Sequence, residues 1–100
     1  MARTLRSFDA SLRAAEQRLR DVYAGRPTGD EAQAWAAYFT ALADAKSALA
    51  DVFEAAREVV KPGGIAWSAL YDAEKANRYE AEENRRSVGL YVAAELTAVA

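Results

Sequence analysis

The chain of 100 residues contains no cysteine and no histidine. Without cysteine it has no disulfide framework and no thiol nucleophile, and without either residue the usual zinc ligand sets are out of reach. The commonest general base is missing as well. Glycine and proline total only seven, so few positions interrupt regular structure. Long apolar runs are also scarce. No window reaches the roughly 18 apolar residues that a bilayer span requires. The opening "MARTLRSFDASLRAAEQ" has no uninterrupted apolar stretch of the signal-peptide kind. The expectation is a chain with no membrane span and no signal peptide, cytoplasmic or held within an assembled particle.

What the chain does have is alanine, at 25 of its 100 positions. Alanine is the strongest helix former, and with so little glycine or proline it points to an all-α chain. The apolar fraction of 52% therefore overstates the supply of large side chains. One hundred residues make one small domain, 1–100, of modest expected stability.

Charge is unevenly placed around a net value of −2. Residues 1–26 carry six arginines against three acids, residues 27–60 carry two basic and six acidic side chains, and residues 61–100 carry five and six. An arginine-rich start could be a nucleic-acid footprint, but a pI near 5.1 is far from the basic values such domains show. A basic first helix lying beside an acidic second one is the reading preferred here, and nucleic acid is not expected as a partner.

Two seams of heptad spacing organise the first 60 residues. Leu5, Phe8, Leu12, Ala15, Leu19 and Val22 recur in alternating steps of 3 and 4, which predicts a helix over about 4–24. Thr4 is placed to cap it, with Gly25 as a left-handed stop before Pro27. In "RPTGDEAQ" the pairs Thr28/Glu31 and Asp30/Gln33 have capping-box spacing. They open a second helix over about 30–60, whose seam reads Trp35, Tyr38, Leu42, Ala45, Leu49, Val52, Ala56 and Val59. A short connection makes the two an antiparallel hairpin. "KPGG" at 61–64 breaks the chain as a turn, lacking the spaced glycines of a phosphate-cradling loop.

A third long helix is expected from about 65. Gly89 is where it could break, near 87–89, into a fourth, so the architecture is a small three- or four-helix bundle. Its stretch 72–86, "DAEKANRYEAEENRR", is polar nearly all round and is expected to project from the bundle. The apolar segment 87–100 then serves as a protein-interaction element, its interface formed by Val88, Leu90, Tyr91, Val92, Leu96 and Val99. The alternation of apolar residues at even positions from Val88 to Ala98 keeps open a strand that adds to a partner's sheet. The rival placement folds the segment back on the second helix of its own chain.

No catalytic, cofactor or metal site emerges. Glu80, Glu82 and Glu83 have no histidine to complete a helix-bundle metal site and read as a solvated face. The five serines have only Lys46, Lys61 and Lys75 as candidate bases, with no motif joining them. Trp35 and Trp67 read as apolar anchors. The chain is expected not to be an enzyme and to use no small-molecule substrate.

Tyr79/Glu83 and Tyr91/Glu95 share a Tyr-x-x-x-Glu spacing. The pattern resembles the C-terminal export signal of WXG-type substrates of type VII secretion, which are likewise helical, cysteine-free and near this length. The Trp-x-Gly turn of that family is absent here: "WAA" and "WSA" follow the tryptophans, and the breaks fall at 25–29 and 62–64. The resemblance implies an exported helical protein. The residues themselves favour an assembly or adaptor subunit, a homo-oligomer or a component of a phage or other supramolecular particle. A small nucleic-acid-binding regulator using the basic first helix comes third.

Overall fold

The computed structural model describes residues 4–99, with side chains as far as 97. Within them the chain forms a 3₁₀ turn, Leu5–Phe8, and three helices: α1 (Asp9–Ala24), α2 (Ala32–Arg57) and α3 (Ile65–Val99). No strand occurs among the described residues, so the apolar C-terminal segment is helix. Helix α3 runs unbroken through Gly89 for 35 residues, and the bundle therefore has three helices rather than four. Two residues before it, Ser87 donates its hydroxyl to the Glu83 carbonyl at 3.2 Å.

The helix ends are made differently from the caps that the sequence offers. The Thr4 side chain makes no cap bond; its carbonyl instead accepts from both the Ser7 N–H at 3.0 Å and the Ser7 hydroxyl at 2.6 Å. Gly25 is right-handed, with φ −90°, and shares its N–H between the Asp21 and Val22 carbonyls. Neither capping box closes at α2, where Glu31 is the N-cap without a side-chain bond. The preceding loop is held by Trp35, whose indole N–H donates to the Gly29 carbonyl at 2.7 Å while the Arg26 guanidinium lies 5.4 Å over its ring. At the other end α2 closes at Arg57, and i→i+3 bonds continue to Val60. The Gly64 N–H then meets the Lys61 carbonyl at 3.1 Å, with Gly63 at φ +77°. That left-handed position after Pro62 is one glycine fills without strain, as in a type II turn.

Helix α2 is the centre of the molecule. Both α1 and α3 pack along it, and α1 makes no close backbone approach to α3. The arrangement is a long rod of 58 × 23 × 19 Å. Its radius of gyration of 16.7 Å exceeds the roughly 13 Å of a compact chain this long. The expected hairpin of α1 and α2 is present, yet α3 is the more extensive partner of α2. The two run antiparallel over their whole lengths, with Arg57 at the end of α2 beside Glu74 early in α3 and Phe39 beside Tyr91.

Two stripes run along α2. The anticipated seam supplies buried Tyr38, Leu42, Ala45, Leu49 and Ala56. A second stripe turns to α3 through Phe39, Lys46 and Arg57, each of which meets an α3 residue, while Ala43 lines a cleft with Arg85 and Val88 of α3. In the 3₁₀ turn Phe8 is buried and Leu5 exposed, and on α1 Ala15 is buried while Leu12, Leu19 and Val22 are half-buried. Trp35, Val52 and Val59 are also half-buried.

Candidate interaction surface

The stretch 72–86 does not project. It lies along α2, burying Ala81 and joined to α2 by its charged side chains. Glu74 is buried and accepts from Arg57 at 2.7 Å and from Arg78 at 3.0 Å. Arg78 continues to Asp51 at 3.2 Å and Glu54 at 2.7 Å on α2. Further along, Lys46 pairs with Glu80, and Arg85 donates to the Ser47 hydroxyl at 2.9 Å. A helix with few large apolar residues in this stretch thus meets its neighbour through pairs of opposite charge.

These pairs set the charge states of the seam. Burial pushes the Glu74 carboxyl up, but the Arg78 hydrogen bond and the charges of Arg57 and Arg78 together outweigh it and hold the group below its ordinary value. Burial likewise presses Lys46 down, and the Glu80 and Tyr23 contacts more than reverse it. Lys46 is the one described cation that joins all three helices, through Glu80 on α3 and the Tyr23 ring of α1, 5.8 Å from its Nζ.

Aromatic clusters close the two ends of the α2–α3 pair. Trp67 and Tyr71 stack at 5.3 Å, and the Arg57 guanidinium lies 5.2 and 5.1 Å from their centroids. At the opposite end Tyr91 stacks on Phe39 at 5.7 Å and on Trp35 at 6.2 Å. Tyr91 and half-buried Val88 therefore belong to the inside of the molecule. Of the other residues placed in the expected interface, Leu90, Val92 and Leu96 are 72%, 44% and 68% exposed. The Val99 side chain lies outside the described residues. The segment thus has an inner side on α2 and an outer apolar side facing solvent. Further apolar exposure on α3 comes from Ile65 and Tyr79.

Two clefts flank this end. One of about 250 Å³ is lined by Thr40, Ala43, Asp44, Arg85 and Val88, and one of about 350 Å³ by Asp30, Glu31, Gln33 and Glu95 among others. In the first the Thr40 hydroxyl donates to the Ala36 carbonyl at 2.8 Å, and no serine hydroxyl hydrogen-bonds a lysine among the described residues. No group of three or more acidic side chains there is arranged to hold a metal ion. No helix is long and apolar enough to cross a membrane among the described residues. The Tyr-x-x-x-Glu pairs fall on different sides of α3, Tyr79 being exposed and Tyr91 packed. Compared with protein-family models, curated proteins and solved structures, the chain gives no match.

Proposed function

We propose that the chain is a non-enzymatic assembly subunit that self-associates through the outer side of α3, as a homo-oligomer or as a component of a larger particle. One observation carries this reading. Leu90 and Leu96 stand 72% and 68% exposed on a helix whose inner side is already filled by Val88 and Tyr91. Singly exposed apolar residues are ordinary, but several near one helix end, turned away from its packed side, are the usual mark of protein contact. The segment first expected to swing away to a partner instead offers its outer side while its inner side stays at home. Light scattering of the full chain over a concentration series tests the reading. Self-association that weakens when Leu90 and Leu96 are both replaced by Glu supports it, and a monomer at every concentration overturns it.

A type VII substrate remains the second reading. It is supported by the long α2–α3 hairpin and by Tyr79 exposed four residues before Glu83 on the trailing helix. Export of the chain by a type VII system, lost on Tyr79→Ala, would favour it over assembly.

A further inference from the structure

The outer side of α3, directly away from α2, carries its own heptad stripe at positions 65, 69, 72, 76, 79, 83, 86 and 90. Its apolar members Ile65, Tyr79 and Leu90 are 93%, 66% and 72% exposed. Tyr79 lies at the middle, and the charges around it are balanced. Asp72 stands seven residues before it and Arg86 seven after; Lys75 stands four before and Glu83 four after. Each pair joins opposite signs.

We propose that this stripe pairs with the same stripe of a second copy of the chain, antiparallel, about a two-fold axis beside Tyr79. The inference rests on the self-association proposed above and specifies its face and register. In that register Asp72 of each copy faces Arg86 of the other, Lys75 faces Glu83, and Ile65 comes within a turn of Leu90. A two-fold interface repeats every contact, so each charge pair occurs twice. A parallel, in-register pairing would set Asp72 against Asp72 and Arg86 against Arg86, and charges on such flanks decide orientation. Asp72 makes no ion pair within its own chain among the described residues, while Arg86 pairs only along its helix, with Glu83. Helix α1 leaves the face clear, since it packs on α2 alone.

The test uses the full chain and sedimentation equilibrium. The wild type is expected to dimerise, less tightly as salt is raised. Asp72→Arg and Arg86→Asp should each weaken the dimer by about tenfold or more, and the two together should restore it. Nitroxide labels fix the register. Attached at Tyr79→Cys they should lie close together in the dimer. At Ile65→Cys they should lie about 42 Å apart, the length of 28 helical residues. A dimer indifferent to both charge reversals, or one not restored by the double change, overturns this pairing and leaves self-association through another face. A chain that never dimerises overturns both.

Discussion

The Arg57 guanidinium donates to the Glu74 carboxylate at 2.7 Å, and that carboxylate is only 4% exposed. An acid stands at a seam position of α3 that an apolar residue would ordinarily fill. It is satisfied there because Arg57 approaches from α2 and Arg78 from the next turn of α3. Arg57 is itself clasped between the carboxylate and the Trp67–Tyr71 stack, with its Nε buried and unpaired.

Removing the carboxylate should be costly. Glu74→Ala leaves Arg57 partly buried without its counter-charge, and such breakage costs about 3–5 kcal/mol. Asp72→Ala on the exposed side of the same helix should stay within about 0.5 kcal/mol in the monomer. Urea unfolding at low protein concentration compares the two. A loss under about 1 kcal/mol for Glu74→Ala would mean that the pair does not hold α3 to α2.

The same group sets an acid limb. Its carboxyl is held below the ordinary 4.5 in the folded chain, so the folded state binds that proton more weakly than the unfolded state does. The stabilisation is complete above about pH 4.5 and is lost as pH falls through the folded value. The urea midpoint should drop over that range, and Glu74→Gln should flatten the drop. An unchanged slope in the variant would assign the acid limb to other carboxylates.

Core substitutions should separate the two helix pairs. Leu49 on α2 is 7% exposed, and Leu49→Ala should cost about 2–5 kcal/mol. Leu12 on α1 is only half-buried, so Leu12→Ala should cost clearly less. Equal losses in thermal melts would place α1 as deep in the core as α2.

A chain ending at Arg86 should be destabilised rather than merely unable to associate. It loses Val88 and Tyr91, and with them the cover over Trp35 and Phe39. Two half-buried side chains of this kind contribute about 1.5–3 kcal/mol through burial. Circular dichroism melts and a red shift of tryptophan emission report the loss. Full retention of stability would return the segment to the role of a free tail.

The three helices and their breaks were legible in the sequence because alanine, the 3-and-4 steps from Leu5 to Val22 and from Trp35 to Val59, and Pro27, Pro62 and Gly63 all act locally. The inner side of α3 was not. Its buried or half-buried line runs through Trp67, Leu70, Glu74, Asn77, Ala81, Asn84, Val88, Tyr91 and Glu95, again in steps of 3 and 4. Four of those nine are polar, so a count of apolar spacing reads the middle of the helix as solvated. The available signal was complementary charge. Arg57, Asp51 and Glu54 on α2 match Glu74 and Arg78 on α3 when the helices are laid antiparallel. The caps misled for a related reason: Trp35 reaches back to Gly29, a contact six residues long that local capping rules do not contain. In the expected interface, Val88 and Tyr91 could not be told from Leu90 and Leu96 until α2 was known to lie beneath them.

Because α1 rests on α2 alone, detaching it breaks no contact between α2 and α3. The amides of α1 should therefore exchange with solvent through a partial opening, at a free energy below that of global unfolding, while the α2–α3 hairpin keeps its protection. The molecule then has two cooperative units of unequal strength in one domain. The released state frees Phe8 and Ala15, both buried in the closed chain, together with the side of α2 on which α1 rests, a reserve of surface that the closed chain keeps out of reach.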